Sequence, residues 1–111
     1  AEVRYPGLAS HPQAALAARQ MRDMGTVVTF RLRAGNEAGA RFTEALQLFA
    51  MAASLGSSES LILPPQMLSG KDLTAQELAI SGLAPGTVRL SIGLEDIEDL
   101  TDDLAQALSK I

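Results

Sequence analysis

The sequence predicts a two-layer α+β domain, about four short strands with helices between and after them. Apolar and polar residues alternate over 26–33 and 87–92, which is the period of a half-buried strand. Apolar residues at helical spacing fill the stretches that follow 10, 36 and 95. The breaks between these segments carry Pro6-Gly7, Gly35-Asn36, Pro64-Pro65 and Pro85-Gly86, pairs that punctuate regular structure.

Residues 3–5 read as a short strand closed by Pro6-Gly7. Ser10 and Gln13 stand at capping-box spacing and Pro12 suits a first turn, so a helix is expected from there to about Met24. It would bury Ala14, Ala17, Met21 and Met24, with Gly25 at its C-terminal cap. In 26–33, Val28, Phe30 and Leu32 share one face, and Thr29, Arg31 and Arg33 the other. The next helix is expected to bury Ala38, Phe42, Ala45, Leu46, Phe49 and Ala53, and to break at Gly56. Residues 59–63 suit a third strand, and Pro64-Pro65 opens a loop through Asp72.

Thr74 and Glu77 form a second capping box, for a short helix ending near Ser81-Gly82. The last strand begins at Thr87. The last helix, from 95 to about 110, is expected to bury Ile97, Leu100, Leu104 and Leu108. Glu95, Asp96, Asp102 and Asp103 read as a solvated face, the first two well placed for a positive helix N-terminus. The pattern leaves strand order open.

At 111 residues the chain is one domain, large enough for a core without metal or disulfide support. Hydrophobic residues make up 47% and aromatics 4%, so that core is mainly aliphatic. A net charge of −4 argues against a nucleic-acid partner. With no cysteine and only His11, neither a disulfide nor a metal site is expected. No apolar run has membrane-span length and no signal-peptide pattern is visible, so no membrane partner and a cytoplasmic setting are expected. The chain opens at Ala1 directly into strand-like sequence, which reads as a piece of a longer polypeptide.

The 87–92 strand places Arg89 and Ser91 on the face opposite Val88, Leu90 and Ile92. Most strand arginines simply face water, yet a guanidinium held on a strand is also a two-pronged donor for a carboxylate. Tyr5-Pro6-Gly7-Leu8, His11-Pro12, Arg19-Gln20-Met21, Ser54-Leu55-Gly56, Glu59-Ser60-Leu61, Gly82-Leu83 and the run from Val88 to Asp96 occur in an order that decides between these readings. In that order and spacing they resemble the C-terminal end of the pyridoxal-phosphate-dependent enzymes of cysteine and methionine metabolism. That family includes cystathionine synthases and lyases, methionine lyase and homoserine sulfhydrylases.

The resemblance implies the small C-terminal domain of a fold-type I pyridoxal-phosphate enzyme, with a mostly antiparallel sheet. It implies that Arg89 binds the substrate α-carboxylate and that Ser54 and Leu55 flank it. Ala53 matches a specificity position that is often Glu in enzymes acting on cystathionine. The implied cofactor is pyridoxal phosphate, its Schiff-base lysine expected upstream of Ala1, since neither Lys71 nor Lys110 has the family's context. No catalytic or cofactor-binding residue is therefore expected within these residues, which alone would be inactive. The implied partners are a small amino-acid substrate, a large cofactor-binding domain, and further copies in a homo-oligomer, a tetramer in the family. Elimination by a lyase and replacement by a synthase or sulfhydrylase are both open. The alternative is a free-standing, non-catalytic regulatory or assembly module derived from the family.

Overall fold

The structure, a computed structural model, describes residues 2–68 and 73–111, with the backbone alone at Gln66. The end of the loop expected to reach Asp72, residues 69–72 with Lys71 among them, lies outside the described residues. Five strands form one sheet: β1 (Glu2–Arg4), β2 (Val27–Arg31), β3 (Ala50–Met51), β4 (Leu61–Leu63) and β5 (Thr87–Ser91). Their order is β1-β2-β5-β4-β3, antiparallel except for the edge pair β3 and β4. The helices are α1 (Ala14–Gln20), α2 (Gly35–Ala45), α3 (Pro65–Leu68), α4 (Ala75–Ser81) and α5 (Ile97–Leu108).

The predicted alternation sets the two faces of the sheet. Val88 and Leu90 of the central strand are buried with Ile62, Leu32, Phe42, Phe49 and Leu100 in one core cluster. Phe30 packs on that core edge-to-face with Phe42, ring centroids 5.5 Å apart. The opposite face carries Arg89, with Thr29 paired to it from β2 and Leu63 from β4. The capping box at α4 forms as expected: Thr74 Oγ1 accepts from Glu77 N, and Glu77 Oε2 accepts from Thr74 N at 2.8 Å.

Several expectations give way to tertiary contacts. The first helix is shorter than predicted, because Met21 is already extended at φ −110° and ψ 133°; of its residues only Ala17 is buried. The Ser10 cap does not form, since Gln13 N donates instead to His11 Nδ1. The second helix stops at Ala45 rather than near Ala53. Asp103 of α5 takes the N–H groups of Gln47 and Leu48, and Gln106 donates to the Ala45 carbonyl at 2.6 Å. The chain thus leaves the helix at Leu46, extended at ψ 144°, and supplies the unpredicted strand β3.

Asp103 also corrects the reading of α5. The buried stripe is Leu100, Asp103 and Ala107, whereas Ile97 and Leu108 are 67% and 46% exposed. Pro65 begins a short helix, α3, where a loop was expected.

Candidate functional site

Arg89 sits at the centre of the central strand, half-buried on the face away from the core. The register brings Arg4, Thr29, Arg89 and Leu63 into one cross-strand row, and Glu2, Arg31 and Thr87 into the next. Glu2 pairs with both Arg4 at 3.0 Å and Arg31 at 3.4 Å, which neutralises the cations near the β1 edge. Those arginines in turn hold the Glu2 carboxyl below its ordinary range, Arg4 contributing most. Arg89 makes no ion pair with any described residue. The one hydrogen bond of its side chain among them runs from Nη2 to the Ser54 carbonyl at 3.1 Å.

The segment that presents this carbonyl follows β3. Ala53, Ser54 and Leu55 are all exposed, Leu55 by 58%. The structure therefore brings Arg89 and Ser54 into contact, through the main chain of Ser54 rather than its hydroxyl. Leu55 and Ala53 flank that contact in sequence. Two hollows, of about 460 and 240 Å³, lie near α4, and neither is lined by Arg89, Ser54 or Leu55. The larger runs between Pro65, Leu78 and Leu83; the smaller lies over Arg31 and Thr87.

Glu95 contributes in a way its place beside a helix start concealed. Asp96 is the residue that caps α5, its Oδ1 accepting from Glu98 N at 2.8 Å. Glu95 turns back instead: Oε1 accepts from Ser60 N at 2.6 Å and Oε2 from Ser60 Oγ at 2.8 Å. The Ser60 N–H, followed by the Glu95 N–H, holds this carboxyl below its ordinary value against the effect of burial. Ser91, on the Arg89 face, accepts from Gly56 N at 3.0 Å. The alternation of 89 and 91 was visible in the sequence; the partners of Ser91 and Glu95 were not.

Comparison with known proteins bears on this geometry. The sequence profile of the Cys/Met metabolism PLP-dependent enzyme family matches residues 1–109. L-methionine gamma-lyase of Pseudomonas putida is 50% identical over 106 residues, covering 96% of this chain and 27% of that enzyme. Cystathionine gamma-lyase of Dictyostelium discoideum is 44% identical over 108 residues, covering 97% of this chain and 28% of that enzyme. Cystathionine gamma synthase from Xanthomonas oryzae pv. oryzae, solved in complex with cystathionine, superposes with a TM-score of 0.90 at 44% identity. That match covers 99% of this chain and 28% of the synthase. The chain thus spans 27 to 28% of the length of these relatives. No helix among the described residues is long and apolar enough to cross a membrane. A family profile over nearly the whole chain, together with a fold shared at high identity, shows that this chain belongs to the Cys/Met metabolism PLP-dependent enzymes.

Proposed function

We propose that this chain is the C-terminal domain of a pyridoxal-phosphate enzyme of sulfur amino acid metabolism, and that it supplies the site for the substrate's α-carboxylate. The observation that carries this reading is the state of Arg89. It is half-buried, steadied by the Ser54 carbonyl through one nitrogen, and unmatched by any described acid. Its other N–H donors remain for two parallel hydrogen bonds to a carboxylate, a geometry that a lysine cannot reproduce. Holding the amino acid by that end fixes the direction of its Cα–H and side-chain bonds, which is what reaction at those bonds requires. Ser54 and Leu55 border the carboxylate, and Ala53, with no charge or hydrogen-bonding side chain, borders the substrate's side chain.

Pyridoxal phosphate, the cofactor of this family, withdraws electrons from the substrate carbon when bound. The described residues do not fit a site for it. Their only lysine, Lys110, is exposed beyond the end of α5, and none of the groups around Arg89 forms a phosphate cradle. We therefore assign its anchoring to a large domain outside these residues, and expect the chain alone to be inactive. Elimination and replacement place the same demand on Arg89, so the carboxylate site serves a lyase or a synthase alike. Of the two, the lyase is the reading we prefer. Association into a homo-oligomer and a cytoplasmic setting belong to the same proposal.

The test is Arg89→Lys in the full-length enzyme. Loss of the fork should raise KM for the amino-acid substrate roughly 10- to 100-fold, the equivalent of one charge-assisted pair. Cofactor absorbance should stay unchanged. An unaltered KM would remove the carboxylate role.

A further inference from the structure

Ser54 is one of several points at which residues 54–60 are fastened to the outer face of β5 and its continuation. Arg89 donates to the Ser54 carbonyl, and two residues on, Ser91 Oγ accepts from Gly56 N. Leu94 N then donates to the Ser58 carbonyl at 2.8 Å, and Gly93 N donates to Ser60 Oγ at 2.8 Å. Glu95 completes the series with its two bonds to Ser60. Ser54, Gly56 and Ser58 therefore take partners at 89, 91 and 94 in turn and Ser60 takes both 93 and 95, so a segment that is itself not a strand is followed along its length by β5 and the residues after it.

The members of this series are unequal. The Arg89–Ser54 bond is exposed, and a single bond of that kind is weakened by competition from water. Alone it cannot order seven residues against the backbone entropy that each of them loses. Ser60 and Ser91 are 0% and 2% exposed, and Glu95 joins Ser60 through short, charge-assisted bonds. Close approach is also built in at Gly93, where a Cβ would lie 2.6 Å from both the Glu59 carbonyl carbon and Glu95 Oε2. The fastening thus resides beyond Arg89, in the buried Ser60 and Ser91 and the half-buried Glu95.

We propose that Ser91 and the Ser60–Glu95 pair are positioning residues for the carboxylate site: they hold residues 54–60 so that the Ser54 carbonyl keeps the Arg89 guanidinium in its binding orientation. This rests on the assignment of Arg89 to the substrate carboxylate. In this arrangement Ser54 and Leu55 owe their places to Glu95, some 40 positions later in the chain, rather than to the strand that precedes them.

The test uses the full-length enzyme with its cofactor and compares Glu95→Gln, Ser91→Ala and Arg89→Lys. Binding of glycine and of methylamine, which lacks the carboxylate, is read from the cofactor absorbance of each variant. Glu95→Gln should weaken glycine about 5- to 10-fold, and Ser91→Ala about 3-fold, with methylamine unchanged. Equal weakening of both ligands would mean a general loosening and would overturn the proposal. So would an unchanged glycine affinity in Glu95→Gln alongside a weakened one in Arg89→Lys. If Arg89→Lys itself leaves glycine binding intact, the carboxylate reading falls first. Should Glu95→Gln fail to fold, Ser91→Ala decides by the same glycine-to-methylamine comparison.

Discussion

Replacing Asp103 by asparagine should destabilise this domain far more than any other change on the outer turns of α5. The carboxylate is 5% exposed and accepts from Gln47 N at 2.9 Å, Leu48 N at 2.8 Å and Gln106 Nε2 at 2.9 Å. An amide keeps one acceptor oxygen and turns an NH₂ group toward backbone donors, so about two charge-assisted bonds are lost. At roughly 1.5 to 3 kcal/mol for each such bond, less whatever the amide oxygen recovers, the net loss is about 3 kcal/mol. For a domain of this size that lowers Tm by roughly 10 °C. Urea unfolding followed by circular dichroism measures it, with Asp102→Asn as the exposed control, expected within about 0.5 kcal/mol of wild type.

The pH dependence provides an independent check on the same carboxylate. Burial pushes the Asp103 carboxyl up, but bonds from Leu48, Gln47 and Gln106 outweigh it and leave the folded value below the usual 3.8. A depressed acid stabilises the fold fully above its unfolded value, and that contribution disappears as pH falls through the folded value. The gap between wild type and Asp103→Asn should therefore be widest near neutrality and close below about pH 3.8. A loss under about 1 kcal/mol at neutral pH, or a gap that does not close in acid, would refute the assignment of Asp103 as the group that ends α2.

Two further changes probe the packing. Phe42→Ala removes a ring that is 0% exposed and stacked edge-on against Phe30, and should cost about 3 to 5 kcal/mol in urea unfolding; a value below about 2 would displace it from the centre of the core. Gly39→Ala would set a Cβ 2.9 Å from Pro65 Cδ and nearer still to its Cγ, so thermal unfolding should show a loss of about 1 to 3 kcal/mol despite alanine's better helix propensity. A stabilised variant would mean that α3 yields freely.

Much of the site and fold was readable because it depends on near neighbours. The faces of β2 and β5 follow from strict alternation, and the start of α4 from Thr74 and Glu77 three residues apart. Arg89, Ser54 and Leu55 were singled out as candidate site residues by the order of short motifs, and Ser91 was visible as the hydroxyl beside Arg89. The partners were hidden, since nothing local links Ser91 to Gly56 or Glu95 to Ser60 across 35 residues.

By itself, then, the sequence determined the α+β class, the inward faces of the long strands and the outward placement of Arg89. These rest on periodicity, which the chain carries in every window of a few residues. Tertiary structure decided where α2 ends, because its last turns remain apolar through Phe49 and favour continuing. A carboxylate 55 positions away takes the Leu48 N–H, turns the chain out at Leu46, and so creates β3 and the path to Ser54. The same distance effect rotated the buried stripe of α5 onto Asp103: a buried charge is stable only where donors converge on it, and folding alone brings those donors together.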